Sequence, residues 1–266
     1  MTEGAVARAP ARFERPGMGG FIAWVCMLAL VIASLRGVGF SPGRFVEGLP
    51  AMAAFAANLF PPSTERLAPI LAALAETFMM AVAGTAIGAT LSLPLAVLAV
   101  RRFSPHASVA LAVRGLISLF RTVPDLVWAL FFVVTVGLGP FAGTLALVVD
   151  TIGFCGRFFA EAMEEADRGP QEALAALGAG RSAIVVSAVL PAAVPTMIGT
   201  TLFSLEKATR SSVVLGLVGA GGIGMELEVA MSFFNYPEAA TIILAIFALV
   251  LAVEQASQAL RLRIIA

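Results

Sequence analysis

The chain has 266 residues, 59% of them hydrophobic and 13% charged, and its basic and acidic side chains balance to a net charge of zero. Too few polar groups are present to wet the surface of a soluble domain, so a bilayer is the expected solvent. At roughly 20 apolar residues per helical crossing the length holds about six spans, which leaves little for a soluble catalytic domain.

Arg8, Arg12 and Arg15 precede an uncharged run at 17–35 that suits a signal peptide or a first membrane helix. The run closes on Ser34, Leu35 and Arg36 rather than on a small-residue cleavage site, so a retained first helix is expected. Residues 37–66, with Pro42, Pro50, Pro61 and Pro62, read as a partly ordered external stretch. The run at 77–100 is long enough to cross with tilt and ends at Arg101 and Arg102. Residues 126–149 are uncharged but interrupted by Gly137, Leu138, Gly139 and Pro140, which predicts two helices joined by a tight turn. The third span is placed near 120–136 and the fourth near 141–159. A fifth at 183–205 contains Pro191 and Pro195, and a sixth runs from 239 to about 260. Cys26 and Cys155 lie inside apolar runs, where thiols behave as small hydrophobes, and no disulfide is expected.

Of the 17 basic residues, 16 are arginine, and their distribution sets the orientation. An internal N-terminus places twelve of the 17 on the cytoplasmic side, among them Arg101, Arg102, Arg114, Arg121, Arg157, Arg168, Arg181, Arg261 and Arg263. Arg36, Arg44 and Arg66 then lie outside, and Lys207 and Arg210 near a membrane edge. The excess of cations inside favours this topology, with both termini cytoplasmic.

Uphill transport needs an energy source, yet the single lysine, Lys207, is followed by Ala208, so no phosphate-cradling Gly-Lys-Ser/Thr loop exists. Any ATP must be handled by another subunit. Gly219, Gly221 and Gly224 match a dinucleotide-binding glycine pattern, but that pattern requires a strand-helix-strand unit, and membrane helices flank it here. With one histidine and two separated cysteines, no cluster of catalytic or metal-binding groups is visible.

Between the fourth and fifth spans runs EAMEEADRGPQEALAALGAGRS, the most polar stretch of the chain. Pro170 suits a first helical position, residues 173–177 are strong helix formers, and Gly178 can take the left-handed conformation that ends a helix. Its small residues leave a low surface that could dock in a groove of a soluble protein.

A second candidate region, 211–225, is uncharged yet holds Gly216, Gly219, Gly221, Gly222 and Gly224, a poor composition for a lipid-facing helix. Irregular backbone at membrane depth is tolerated where it lines a cavity, and exposed amides there favour an anion. Arg210, Ser211 and Ser212 stand at its start and offer a guanidinium fork and two hydroxyls suited to phosphoryl oxygens. Alternatively, Lys207 and Arg210 snorkel to the outer interface with Glu206 neutralising one of them. Glu76 and Asp150 are further candidates, because ionisable groups in spans face an interior or a pathway; either could instead tie helices together. His106 reads as a surface residue.

Glu172, Ala173, Gly178, Leu190 and Pro191 stand at the spacings of the Glu-Ala-Ala, Gly, Ile-x-Leu-Pro signature of ATP-binding-cassette importer permeases, departing from it at Leu174 and Ala188. By that resemblance Glu172, Ala173, Leu174, Ala175, Leu177 and Gly178 form the coupling helix seated in the ATPase subunit. RTVPDLVWALFF, VGLGPFAGTLAL, FAEAMEE and RSSVVLGLVGAGGIG resemble the permeases of phosphonate importers, and more broadly phosphite and hypophosphite permeases, from about residue 67 onward. Methionine-importer permeases share the glycine-rich segment more loosely. The resemblance implies an all-α integral membrane protein of the type I importer permease fold, with about six spans. Residues 1–66 would form the tail, first span and external segment, and 67–266 the permease core with a coupling helix at about 168–181. It further implies a homodimer in the bacterial inner membrane, ATPase subunits that bind ATP and Mg, and a periplasmic binding protein. No cofactor on this chain and no nucleic-acid partner are expected. The competing expectations are a permease for another small substrate such as methionine, or an ion-coupled secondary transporter.

Overall fold

The computed structural model describes residues 18–265; Arg8, Arg12, Arg15 and Gly17 lie outside the described residues. Every regular element among those described is helical. The chain divides into a unit ending at Ala56 and a second beginning at Ala57. In the first, α1 (Met18–Gly37) is an apolar helix of 20 residues, about 30 Å long, whose one charge is Arg36 in its last turn. Most of the stretch expected to be only partly ordered is the helix α2 (Pro42–Asn58), which takes Pro50 within it and runs just past the unit boundary.

The second unit contains α3 (Leu67–Ala99), α4 (Ala107–Thr122), α5 (Asp125–Val136), α6 (Pro140–Glu165) and the short α7 (Arg168–Ala176). The single turn α8 (Arg181–Ile184) leads through a π-helical stretch, Val185–Val189, into α9 (Leu190–Gly216), followed by α10 (Ile223–Ser232) and α11 (Tyr236–Ile265). Among the described residues, five stretches are long and apolar enough to cross a bilayer: α1, α3, α6, Arg181–Gly216 and α11; the pair α4–α5 makes a sixth if counted as one broken span.

The third span, expected near 120–136, takes in the end of α4 and all of α5, two helices bent 90° to one another, and the helix preceding it from Ala107 was not expected. Pro124 accounts for the break. It drives Val123 into extended backbone (φ −78°, ψ 123°), which ends α4, and it then stands at the cap of α5. The turn expected at 137–140 is present, with Gly137 and Gly139 at φ 96° and 127° and Pro140 opening α6. The expected fifth span at 183–205 extends to Gly216. Pro191 has no N–H for a carbonyl one turn earlier, and the chain answers with π-type spacing, in which the Leu190 N–H donates to the Val185 carbonyl.

The axis of the second unit is α6, which packs against α3, α4, α5 and α9. Water does not drive helices together inside a bilayer, so their association depends on close packing of small residues. Gly84 and Gly88 form such a pair on α3: a Cβ at Gly88 would lie 2.5 Å from Thr151 Cβ, and one at Gly84 2.6 Å from Leu147 Cβ. On the opposite side of α6, a Cβ at Gly153 would stand 2.7 Å from the Arg121 backbone nitrogen. Met80, Ala81, Ala146, Leu147, Ala208 and Leu215 fill one part of the core, and Ala96, Ile117, Cys155, Phe159 and Met163 another. Val134, Phe141, Phe247 and Leu251 are exposed, as lipid-facing side chains must be.

Candidate functional site

In the polar loop, the Asp167 carboxylate caps α7 by accepting the Gly169 N–H at 3.0 Å. The helix therefore starts at Arg168, and Pro170 occupies its third position rather than the expected first. This costs nothing, because the first four N–H groups of a helix have no internal partner. Gln171 is buried, and its Nε2 donates to the Ala166 and Asp167 carbonyls at 3.1 and 2.8 Å, which binds α7 to the end of α6. At the other end Gly178 has φ 80°, its N–H donates to the Ala175 carbonyl, and the Ala179 N–H donates to the Leu174 carbonyl. These two bonds form a Schellman cap, which favours glycine at its left-handed position. Glu172, Ala173, Ala175 and Gly178 are exposed, Leu174 is half-buried, and Leu177 stands 85% exposed at the tip.

The glycine-rich segment closes the gap between α9 and α10. Gly219, Gly221 and Gly222 have φ of 85°, 83° and 74°, and Gly216, Gly221, Gly222 and Gly224 are buried. Gly222 is the cap residue of α10 and has no side chain to satisfy the first amides of that helix. Neighbouring α3 supplies the acceptors. Glu76 Oε1 accepts the Gly222 N–H at 2.8 Å and Thr77 Oγ1 accepts the Ile223 N–H at 2.7 Å. The Gly139 N–H in turn donates to the Gly219 carbonyl at 2.9 Å. These two amides are thus occupied within the chain, and Glu76 acts as a remote helix cap. Thr77, which sequence reasoning missed, shares that task. Glu76→Ala should lower the stability of the purified permease by about 1–3 kcal/mol, the cost of stranding a buried donor. Glu76→Gln, which keeps an acceptor oxygen, should lose less in thermal unfolding.

Further along the same helices, Lys207 Nζ donates to both Asp150 oxygens at 2.7 and 2.9 Å and lies 5.4 Å from the Phe154 ring centroid. Glu206 pairs with Arg261 at 2.6 Å, not with Lys207 or Arg210. Consecutive residues of a helix point about 100° apart, so Glu206 and Lys207 meet different neighbours. Arg210 is exposed and pairs with no carboxylate among the described residues. Ser212 is buried and spends its hydroxyl on the Thr209 carbonyl at 2.9 Å, whereas Ser211 is half-buried. Thr196, Thr200, Phe203, Lys207, Arg210 and Val214 recur at steps of three and four and form one partly or fully exposed stripe along α9. An open groove of ≈ 440 Å³ lies over the lower part of this stripe, lined by Phe154, Phe158, Thr196, Thr200, Phe203 and Arg261 among others. The arrangement offers cations, hydroxyls and aromatic faces.

Residues 88–263 match the family model described as binding-protein-dependent transport system inner membrane component. The phosphite transport system permease protein PtxC of Stutzerimonas stutzeri is 39% identical over 216 residues, covering 81% of this chain and 78% of that protein. The phosphate-import permease protein PhnE of Mycolicibacterium smegmatis is 36% identical over 255 residues, which is 96% of this chain but 47% of that relative's length. Among solved structures, an inward-facing form of the MetNI methionine ABC transporter aligns with a TM-score of 0.67 at 25% identity, covering 76% of this chain and 99% of the matched one. With an all-helical unit of this topology and a match over most of its length, the chain belongs to the binding-protein-dependent inner membrane components, the permeases of ATP-binding-cassette importers.

Proposed function

We propose that this chain forms the membrane path for a small phosphorus oxyanion, such as phosphite, phosphate or a phosphonate, in an importer driven by a separate ATPase subunit. The observation that carries the substrate class is the open stripe of α9, where Lys207 and Arg210 stand one turn apart, while the helix's one other charge, Glu206, points away and pairs with Arg261. Relatives named for phosphite transport and phosphate import support the same class. In this reading α7, from Glu172 to Gly178, is the coupling helix that seats in the ATPase, and Gln171 passes its displacement to α6. ATP and Mg are held by that partner, a binding protein delivers substrate from outside, and a second copy of this chain completes the path. Both termini face the cytoplasm, as the arginine distribution favours. Arg210 and Ser211 remain open to an anion, while Glu76, Gly219, Gly221, Gly222, Gly224 and Ser212 shape the segment that positions them.

The test is uptake into proteoliposomes holding the permease, its ATPase and its binding protein. Labelled phosphite, phosphate and methylphosphonate are supplied in turn, with methionine as the competing substrate. ATP-dependent uptake of at least one oxyanion, undiminished by excess methionine, is expected. Methionine uptake would overturn the substrate class, and uptake that follows an ion gradient without nucleotide would overturn the importer mechanism itself.

A further inference from the structure

We infer that Lys207 is the exchange cation of the path, held by Asp150 between substrates and handed to the oxyanion as it passes; this rests on the proposed oxyanion function. An ion pair inside a membrane-spanning helix bundle is expensive to keep, which makes a merely decorative role a poor explanation. The two partners are unequally covered. The Asp150 side chain is 12% exposed, whereas that of Lys207 is 37% exposed, so the carboxylate is the fixed half and the ammonium the reachable one. Lys207 belongs to the open stripe of α9 together with Arg210, and a stripe bearing two cations cannot face hydrocarbon. It faces protein or a watered pathway.

The donor count agrees with exchange. An ammonium has three N–H donors, and Asp150 takes two of them, leaving one for an arriving oxygen. Residues three apart on a helix are neighbours, with Cβ atoms about 5–6 Å apart, so Lys207 and Arg210 can hold two oxygens of one tetrahedral anion. Two unopposed cations would also trap that anion, and a conducting path must bind weakly enough to release. Asp150 supplies the competition: it screens Lys207 when the path is empty and recaptures it when the anion moves on. Phe154, whose ring faces the ammonium, keeps Lys207 near this position through the exchange.

The experiment compares wild type, Lys207→Gln, Lys207→Arg, Asp150→Asn and the Asp150→Asn/Lys207→Gln double variant. All are assayed as assembled permease–ATPase complexes. Binding of labelled phosphite, phosphate and methylphosphonate is measured without binding protein, and uptake is measured with it. Asp150→Asn should bind the transported oxyanion at least tenfold more tightly than wild type while its uptake falls. Lys207→Gln and the double variant should both lose binding and at least tenfold of uptake, and Lys207→Arg should keep a substantial part of each. If Asp150→Asn and Lys207→Gln are equally impaired and the double variant recovers, the pair is only a structural tie and the inference falls. Wild-type uptake by Lys207→Gln overturns the inference alone. Failure of the wild-type complex to take up any of the three oxyanions overturns the proposed substrate class and the inference with it.

Discussion

A Gly178→Phe permease is expected to insert, fold and assemble into the membrane, yet to support no uptake and no substrate-stimulated ATP hydrolysis. Gly178 sits at φ 80° in the cap of α7, a conformation that costs a residue with a Cβ roughly 1–2 kcal/mol. That strain is local and too small to unfold the chain. Nothing lies within 4 Å of a Cβ placed there, so the phenylalanine meets no obstacle inside the permease. If α7 is the coupling helix proposed above, the damage arises at its contact with the ATPase, through a displaced cap and a bulky group beside the exposed Leu177. Gly178→Asn separates the two contributions, because asparagine tolerates the left-handed region and is far smaller than phenylalanine. It should retain most of the uptake, and Gly178→Ala should fall between them. Coupled ATP hydrolysis and uptake are measured side by side on complexes of equal composition. Normal uptake by Gly178→Phe would remove α7 from the coupling path.

The spans were legible because hydrocarbon imposes long uncharged runs, and the turn at 137–140 was legible because glycine and proline punctuate it. The end of α7 was readable for the same reason, since only a few residue types accept the backbone that Gly178 adopts. The break between α4 and α5 was missed although its cause, Pro124, stands in plain view. The apolar run on either side of it reads as one span by composition, and composition carries no information about the angle between two halves. Asp167 rather than Pro170 sets the start of α7, because it is a cap in its own right and outranks the proline signal.

The electrostatic partners were the least legible part of the site. Asp150 and Lys207 are 57 positions apart, Glu206 and Arg261 are 55, and Glu76 and the Gly222 amide are 146. No periodicity within a helix connects such residues; the packing of α3, α6, α9 and α11 brings them together. A single sequence shows that an ionisable group inside a span needs a partner, and the choice among Lys207, Arg210 and Arg261 is made by which helix faces which. The stripe on α9 was in principle visible, since Thr196, Thr200, Phe203, Lys207 and Arg210 follow helical spacing. Its significance depended on knowing that this face, and not the one holding Ala208 and Ser212, is the uncovered one.

Of the glycines between residues 216 and 224, Gly224 should be the least replaceable, and Gly224→Ala is expected to cost most of the folded permease. Its backbone is ordinary helix at the first turn of α10, so the reason is not conformational freedom. An added Cβ there would run into the Val213 carbonyl oxygen and lie 2.9 Å from Gly216 Cα, both backbone atoms of α9. The crossing is reciprocal, since a Cβ at Gly216 would stand 2.7 Å from Gly224 Cα and 2.8 Å from the Gly221 carbonyl oxygen. A flexible side chain could swing away, but helix backbone cannot, and the cost should reach or exceed the upper end of the ~1–3 kcal/mol typical of overpacking. Moving α10 away from α9 would also pull the Gly222 and Ile223 amides off Glu76 and Thr77, so the strain propagates through the glycine-rich segment to α3. Gly115→Ala is the matched control: it lies within α4 with nothing inside 4 Å of its added Cβ, and alanine there should stabilise by up to ~1 kcal/mol. The yield of monodisperse permease in detergent and its unfolding temperature report the difference. Should Gly224→Ala unfold like Gly115→Ala, then α9 and α10 do not cross at backbone contact, and the buried geometry of the glycine segment would have to be abandoned.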